Sequence, residues 1–191
     1  NDPAAAQEWI DRALRLNGQD ASAQHLHGRI VVLPEVMSLF QKAAEAEVQN
    51  QLLDLQKYLR KIAALDPERQ DVVSQLAGLN EQLKQAEYSE HLRRASEFIK
   101  NENIQATRQE LNSANALYSG RQDVKNLLAQ VEKIEKGQRI NTLLGEAKTF
   151  EGQDQWKQAF ERYSQILVED SENRAAINGQ KKANTIISAN N

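Results

Sequence analysis

Apolar residues recur at intervals of three and four along most of the chain, a spacing that places them on one face of an α-helix. The pattern is clearest between residues 152 and 183. Asp154 can cap a helix there, and one face of that helix carries Trp156, Ala159, Phe160, Tyr163, Ile166 and Leu167. The polar run 169–171 interrupts the pattern, and a second apolar series begins at Ala175. This stretch predicts two helices joined by a tight turn.

The same pattern predicts eight helices, in which short and long helices alternate. Their expected ranges are 3–16, 21–47, 50–65, 67–100, 103–117, 120–151, 154–168 and 172–188. Because proline removes a backbone donor and clashes with the preceding turn, we expect the second helix to break near residues 32–33 and to restart at Pro34. Gly137 suggests a similar bend or split in the sixth helix. The weak boundary at 49–51 leaves one continuous helix over 35–65 as the alternative.

Several sequence features repeat with a period of about 51 residues. Four similar turns begin at residues 16, 65, 117 and 168, which are 49, 52 and 51 residues apart. Other matches stand 52 apart, namely Ala43, Ala95 and Ala147, and Leu59, Leu111 and Tyr163. We therefore expect an all-α solenoid of stacked αα-hairpins. It would form a single elongated domain over residues 1–191, with repeats at approximately 1–47, 48–100, 101–151 and 152–191.

Residues 143–183 resemble a tetratricopeptide (TPR) repeat. The second-helix pattern of that family, A-x-x-x-Y/F-x-x-A-L, matches Ala159, Tyr163, Ile166 and Leu167. The resemblance is partial, because the family unit has 34 residues and because Asp154 stands where the family has glycine. It implies a noncatalytic scaffold for a protein or peptide partner. The overall style is also similar to degenerate repeats of bacterial envelope proteins, which implies the periplasm or cell envelope and a portion of a larger protein.

Composition and charge narrow the classes of function. The net charge of −3 argues against nonspecific nucleic-acid binding, which needs an excess of Lys and Arg. No run of eighteen apolar residues occurs, so we expect no membrane insertion. The chain has no cysteine, which excludes disulfides and thiolate metal sites. Lack of cysteine slightly favours an oxidising compartment such as the periplasm, with the cytoplasm as the alternative.

The sequence offers little material for catalysis. The histidines His25, His27 and His91 lie outside any metal-binding or catalytic motif, and we expect them on the surface or partly buried. We therefore predict no enzymatic activity, no cofactor and no metal site. Three basic doublets stand at 60–61, 93–94 and 181–182. They are interpreted as a solvated face, with a patch for an acidic peptide as the alternative.

The densest apolar run is Ile30 to Phe40, which contains the only methionine, Met37. We interpret it as core beneath a kinked helix, with an adaptable partner surface as the alternative. The aromatic residues on helical stripes are also assigned to the core, namely Trp9, Tyr58, Trp156 and Tyr163.

The sequence therefore favours a noncatalytic scaffold that binds protein or spaces other domains. The alternative is a structural oligomerisation module, in which the long helices 67–100 and 120–151 of two copies pair as a homodimer. Such a seam would include Leu76, Leu79 and Leu83. No partner-binding residue is predicted.

Overall fold

The computed structural model describes residues 3–189, and all of its regular structure is helical. The eight helices are α1 Pro3–Leu16, α2 Ala21–Val48, α3 Leu52–Leu65, α4 Gln70–Lys100, α5 Ile104–Leu117, α6 Gln122–Gly152, α7 Trp156–Glu169 and α8 Arg174–Ala189. Short helices of 14 residues alternate with long helices of 28 to 31 residues, and α8 has 16. Consecutive helices pack as hairpins, which is the local packing of a solenoid. The all-α prediction is confirmed.

The predicted break at Pro34 is wrong, because α2 runs without interruption from Ala21 to Val48. Pro34 lies on the exposed side of the helix, where the carbonyl that loses its backbone donor can bind water. Val36 and Leu39 are buried on the other side and hold the helix against its neighbours. At Gly137, where we expect a bend or a split, α6 is not split, since it is continuous from Gln122 to Gly152.

Each long helix ends in the same tight turn before the next short helix. Asn50, Glu102 and Asp154 adopt left-handed φ angles of 55°, 53° and 56°, and they stand 52 residues apart. The amide that follows each of them donates to a carbonyl five residues earlier, at 2.8 to 2.9 Å. This is the Schellman arrangement that ends a helix and reverses the chain. The turn at Asn50 excludes one continuous helix over 35–65. The prediction that Asp154 caps the next helix is wrong, because Asp154 lies in the turn and Gln155 is the N-cap residue of α7.

Compact packing divides the chain into two units, Asn1–Glu87 and Tyr88–Asn191, and the boundary falls inside α4. In the first unit, α1 packs on α2, and the second half of α2 packs with α3 and the first half of α4. The buried core of this unit consists of Val36, Leu39, Ala43, Ala46, Leu55, Leu59, Ile62, Val72 and Leu79. The prediction of one domain over residues 1–191 stays a prediction.

The second unit contains two core clusters that share α6. The first joins the end of α4, α5 and the first half of α6 through Tyr88, Ala95, Leu111, Ala114, Val124 and Val131. The second joins the rest of α6 with α7 and α8 through Ile140, Ala147, Ala159, Tyr163, Ile166 and Ala176. Burial therefore recurs every 52 residues: Ala43, Ala95 and Ala147 are all buried, as are Leu59, Leu111 and Tyr163.

We expect Ala147→Glu to destabilise the second unit strongly, because it places a charge where Ala147 is fully buried. A buried, unpaired carboxylate costs about 3 kcal/mol or more, which corresponds to a fall in Tm of roughly 10 °C for a chain of this size. Thermal melting followed by circular dichroism measures this change. Ala129→Glu, at an exposed position in the first half of the same helix, is the control and should leave Tm nearly unchanged. Equal melting of both variants would show that the helix register is wrong.

Substitution of Gly179 and of Gly145 by alanine gives a second test and its control. A Cβ at Gly179 would overlap the ring of Tyr163, whereas a Cβ at Gly145 would meet no neighbour within 4 Å. We expect Gly179→Ala to destabilise by about 2 kcal/mol through overpacking. Gly145→Ala should stabilise by up to about 1 kcal/mol, since alanine is the better helix former. Chemical denaturation of both variants tests this, and a neutral Gly179→Ala would contradict the close packing of α8 on α7.

Candidate protein-binding surface

An open groove lies in the second unit, between α6 and the end of α7. Its volume is about 530 Å³, and it is lined by Glu135, Gln138, Arg139, Thr142, Leu143 and Glu169. Helical spacing explains the lining, because positions 135, 138, 139 and 142 are neighbours on one face of α6. We name these six residues the α6–α7 groove.

Ion pairs fix the charged side chains of the groove. Arg139 donates to Glu169 through Nε at 3.2 Å and through Nη2 at 3.2 Å. Arg108 of α5 donates to Glu135 through Nη2 at 2.8 Å and through Nε at 3.3 Å. The hydrogen bond from Arg108 lowers the pKa of Glu135, and the bond to Glu169 raises the pKa of Arg139. Glu135 and Arg139 therefore stay charged around neutral pH.

The floor of the groove is apolar where Leu143 packs against the core cluster of α6, α7 and α8. Thr142 is exposed and donates its hydroxyl to the carbonyl of Gln138 at 3.0 Å. An apolar floor with a positive and a negative group at its edge suits a short polypeptide segment that carries one apolar side chain between polar groups. The hydrogen bond from Arg108 keeps the pKa of Glu135 below its ordinary value, which makes this carboxylate a poor proton donor at neutral pH.

A second polar cluster lies in the first unit, at the turn between α3 and α4. Asp66 is buried and accepts from Arg29 of α2 at 3.0 Å and from Arg69 at 3.2 Å. Arg29 also binds Glu68 at 3.0 Å. Burial alone would raise the pKa of Asp66, but the hydrogen bonds and charges of the two arginines lower it below its ordinary value. This cluster ties α2 to the α3–α4 turn.

The turn between α5 and α6 in the second unit is tied to α4 by aromatic side chains. Arg121 lies over the rings of Tyr88 and Tyr118, 4.8 and 4.4 Å from their centroids. The two rings meet edge to face at 5.2 Å. Tyr88 donates a short hydrogen bond to Asp123. Burial and this hydrogen bond raise the pKa of Tyr88, so its hydroxyl stays protonated at neutral pH.

The three histidines do not form a common site. His25 lies 3.0 Å from Glu68, His27 lies 3.6 Å from Asp11, and His91 contacts Glu110 at 2.6 Å through Nδ1. Between residues 3 and 189, no group of three or more His, Asp or Glu side chains is placed to hold a metal ion.

Ion pairs occupy two of the three basic doublets. Arg93 and Arg94 both bind Glu90 at 2.8 Å, on the surface of α4. Lys182 binds Glu151 at 3.1 Å and lies 5.0 Å from the Trp156 ring. The doublet at 60–61 is exposed on α3.

The apolar run Ile30 to Phe40 is divided between core and surface. Val36 and Leu39 are buried, whereas Val31 and Met37 are 59% and 57% exposed. The run is therefore core on one side of α2 only.

The assignment of Trp9 to the core is wrong, because 69% of its surface is exposed. Tyr163 is buried as predicted, and Tyr58 and Trp156 are half-buried. Helical spacing correctly places Trp9 on an apolar face of α1, but spacing alone does not show whether another helix covers that face.

Sequence reasoning missed the α6–α7 groove. The spacing of Glu135 and Arg139 at i and i+4 was the available signal, and it is common on solvated helices. Their partners Arg108 and Glu169 lie 27 and 30 residues away in sequence, and only the packing of α5, α6 and α7 brings them together.

Comparisons with known protein families, with characterised proteins and with solved structures gave no match to this chain. Over residues 3–189, no helix combines the length and the apolar character needed to cross a membrane.

The pH dependence of stability tests the cluster around Asp66. Because its pKa is lowered in the folded chain, the stabilising contribution of Asp66 is full above about pH 4, the pKa of an unfolded aspartate. It declines as pH falls below that value. We expect Asp66→Asn to lower Tm at pH 7 and to lower it much less at pH 3, as measured by thermal melts at both values. Asp54→Asn, on the exposed side of α3, should change Tm little at pH 7. An equal loss at both pH values for Asp66→Asn would contradict the role of its charge.

Proposed function

We propose that the chain is a noncatalytic scaffold that binds a protein or peptide, with the α6–α7 groove as the binding surface. The observation that supports this most directly is the groove itself: a partly apolar floor at Leu143 beside the Arg139–Glu169 ion pair. A scaffold that separates other domains is compatible with the same architecture. The partial resemblance of residues 143–183 to a tetratricopeptide repeat points the same way.

The geometry favours recognition of an extended or helical segment. The α6–α7 groove is open rather than enclosed, and its walls belong to two helices that pack through a common core. A surface that is already ordered spends little free energy on ordering itself when a peptide binds. Opposite charges at its edge would fix the direction of a bound segment that carries complementary charges.

Oligomerisation through the long helices is the weaker proposal. The seam that it requires contains Leu79, which is buried in the core of the first unit, and Leu76 and Leu83, which pack against that core. In α6, Val124, Val131, Ile140 and Ala147 are buried within the second unit. These apolar stripes already face helices of the same chain, so they offer little free surface for a second copy.

We also propose that the protein acts in the bacterial periplasm or cell envelope. The support for this is the lack of cysteine and the similarity in style to repeats of envelope proteins. The cytoplasm is the alternative location.

Peptide selection tests the binding role of the groove. A displayed peptide library is selected against the whole chain, and the recovered peptides are measured by calorimetry. We expect Arg139→Glu, which breaks the pair with Glu169, and Thr142→Trp, which fills the α6–α7 groove, to weaken binding at least about tenfold. Arg60→Glu, at an exposed position of α3, is the control, and this variant should bind the peptides as the unchanged chain does.

Two results would overturn the proposal. One is equal binding of the selected peptides to both groove variants, and the other is a selection that yields no specific peptide. Sedimentation velocity of the same samples separates the rival role, since a stable dimer at low concentration would favour oligomerisation.

A further inference from the structure

The chain contains two Asn-Gly pairs, which lie in opposite structural settings. Asn17-Gly18 is in the turn between α1 and α2, whereas Asn178-Gly179 is in the first half of α8. An asparagine that precedes glycine is prone to spontaneous deamidation, because glycine has no side chain to hinder attack on the asparagine amide. Both asparagines are exposed, so access to solvent does not distinguish the two pairs.

The α1–α2 turn leaves the backbone nitrogen of Gly18 available as a nucleophile. Gly18 is exposed to solvent, and among residues 3–189 no carbonyl or side chain accepts a hydrogen bond from its N–H. Asn17 Oδ1 accepts a hydrogen bond from the backbone N–H of Gln19 at 3.2 Å. A donor at this oxygen stabilises the negative charge that develops on it when Cγ of Asn17 is attacked.

Helix α8 protects the second pair. Gly179 is an interior residue of this helix, so its N–H donates to the carbonyl four residues earlier. A Cβ at Gly179 would overlap the ring of Tyr163, which shows how closely this backbone packs on α7. Attack on Asn178 requires the ψ angle of that residue to leave its helical value, so α8 must first open locally.

From this contrast we infer that Asn17 is a site of spontaneous deamidation in the folded protein and that Asn178 is protected. The nitrogen of Gly18 bonds to Cγ of Asn17 and closes a succinimide ring. The bond from Cγ to Nδ2 breaks, and Nδ2 leaves as ammonia with the proton that Gly18 gives up. Water then opens the ring at either carbonyl, which yields aspartate or isoaspartate and adds one negative charge. This modification goes beyond the proposed binding role and does not depend on it.

Isoaspartate at position 17 alters the α1–α2 turn. The main chain then runs through Cβ and Cγ, which lengthens it by one carbon, and the original carbonyl becomes part of a carboxylate. In the unmodified chain, that carbonyl accepts from the N–H of Asp20 at 3.1 Å and closes the turn. Helix α1 packs on α2, whereas the buried core cluster of the first unit is formed by α2, α3 and α4. We therefore expect isoaspartate to loosen α1 and to leave the rest of the chain folded.

Peptide mapping of the whole chain tests the site. The protein is kept at neutral pH for several weeks, and samples are digested with trypsin and measured by mass spectrometry against the starting material. Cleavage after arginine and lysine places Asn17 in the peptide 16–29 and Asn178 in the peptide 175–181. We expect the mass increase of amide hydrolysis to accumulate in 16–29 at least about tenfold faster than in 175–181, because reaction at Asn178 waits for opening of α8.

Two controls separate the effect of the fold from the effect of the sequence. In concentrated urea both peptides should deamidate at similar rates, because neither asparagine is then held in a helix. Gly18→Ala should slow the reaction in the folded chain at least about tenfold, because the added methyl hinders attack on Cγ. This variant should fold normally, since a Cβ at Gly18 would lie 3.4 Å from the carbonyl oxygen of Leu14.

Hydrogen exchange measures the consequence for α1. In the aged protein, the amides of α1 should exchange faster than in fresh protein, while those of α6, α7 and α8 should not change. Asn17→Asp is the matched control, because it adds the charge without lengthening the main chain. Its α1 amides should exchange as in the fresh protein. Unchanged exchange of α1 in protein that contains isoaspartate would contradict the loosening of the hairpin.

Three results would overturn the assignment of Asn17. They are equal rates for the two peptides in the folded chain, a rate in Gly18→Ala equal to that of the parent, and protection of 175–181 that persists in urea. The first would show that α8 gives no protection, the second that no succinimide forms, and the third that sequence rather than fold protects Asn178. The proposal for the α6–α7 groove is unaffected by any of them, because its peptide-binding test uses freshly prepared chain.

Discussion

The packing of α3, α5 and α7 against the long helix that precedes each of them depends on alanine at the point of contact. Ala43, Ala95 and Ala147 are buried where α2, α4 and α6 meet their following helices, and a side chain as small as alanine lets two helices pack at short distance. The Schellman turn a few residues later then fixes the direction of the next helix. Together these two local features determine which residues of α3, α5 and α7 face inward, and the rest of each core follows from that orientation.

Polar interactions at the opposite turn are more varied than the apolar packing. Asp66 and Arg69 form an ion pair at 3.2 Å, Tyr118 and Arg121 stack at 4.4 Å, and Asp170 accepts from Asn173 at 3.1 Å. In each case, the C-cap residue directly after a short helix contacts the residue three positions later. The geometry is retained while the chemistry changes, which indicates that the apolar core sets the position of the turn. The polar pair then closes it, because buried polar groups need partners.

Much of the fold could be predicted from the sequence, because it depends on local patterns. Alternation of short and long helices followed from spacing, and the buried alanines followed from their 52-residue period. Pro34 was misjudged because the cost of proline depends on where its ring lies, and here it faces solvent. Trp9 and the α6–α7 groove could not be predicted for a related reason. Whether a helix face is covered, and which distant arginine meets which glutamate, are properties of the packed chain.

The short helices differ in how far their inward faces are covered by neighbouring helices. The short helices can be compared position by position, because all four have 14 residues. The inward residues of α3, α5 and α7 are buried, whereas the equivalent residues of α1 are exposed or half-buried. Trp9 and Leu16 of α1 are 69% and 86% exposed. The same comparison shows that the stripe of α4, with Leu76, Leu79 and Leu83, is used within its own unit. The charged surface with an apolar floor lies at the α6–α7 groove, where Leu143 lies beside the Arg139–Glu169 ion pair.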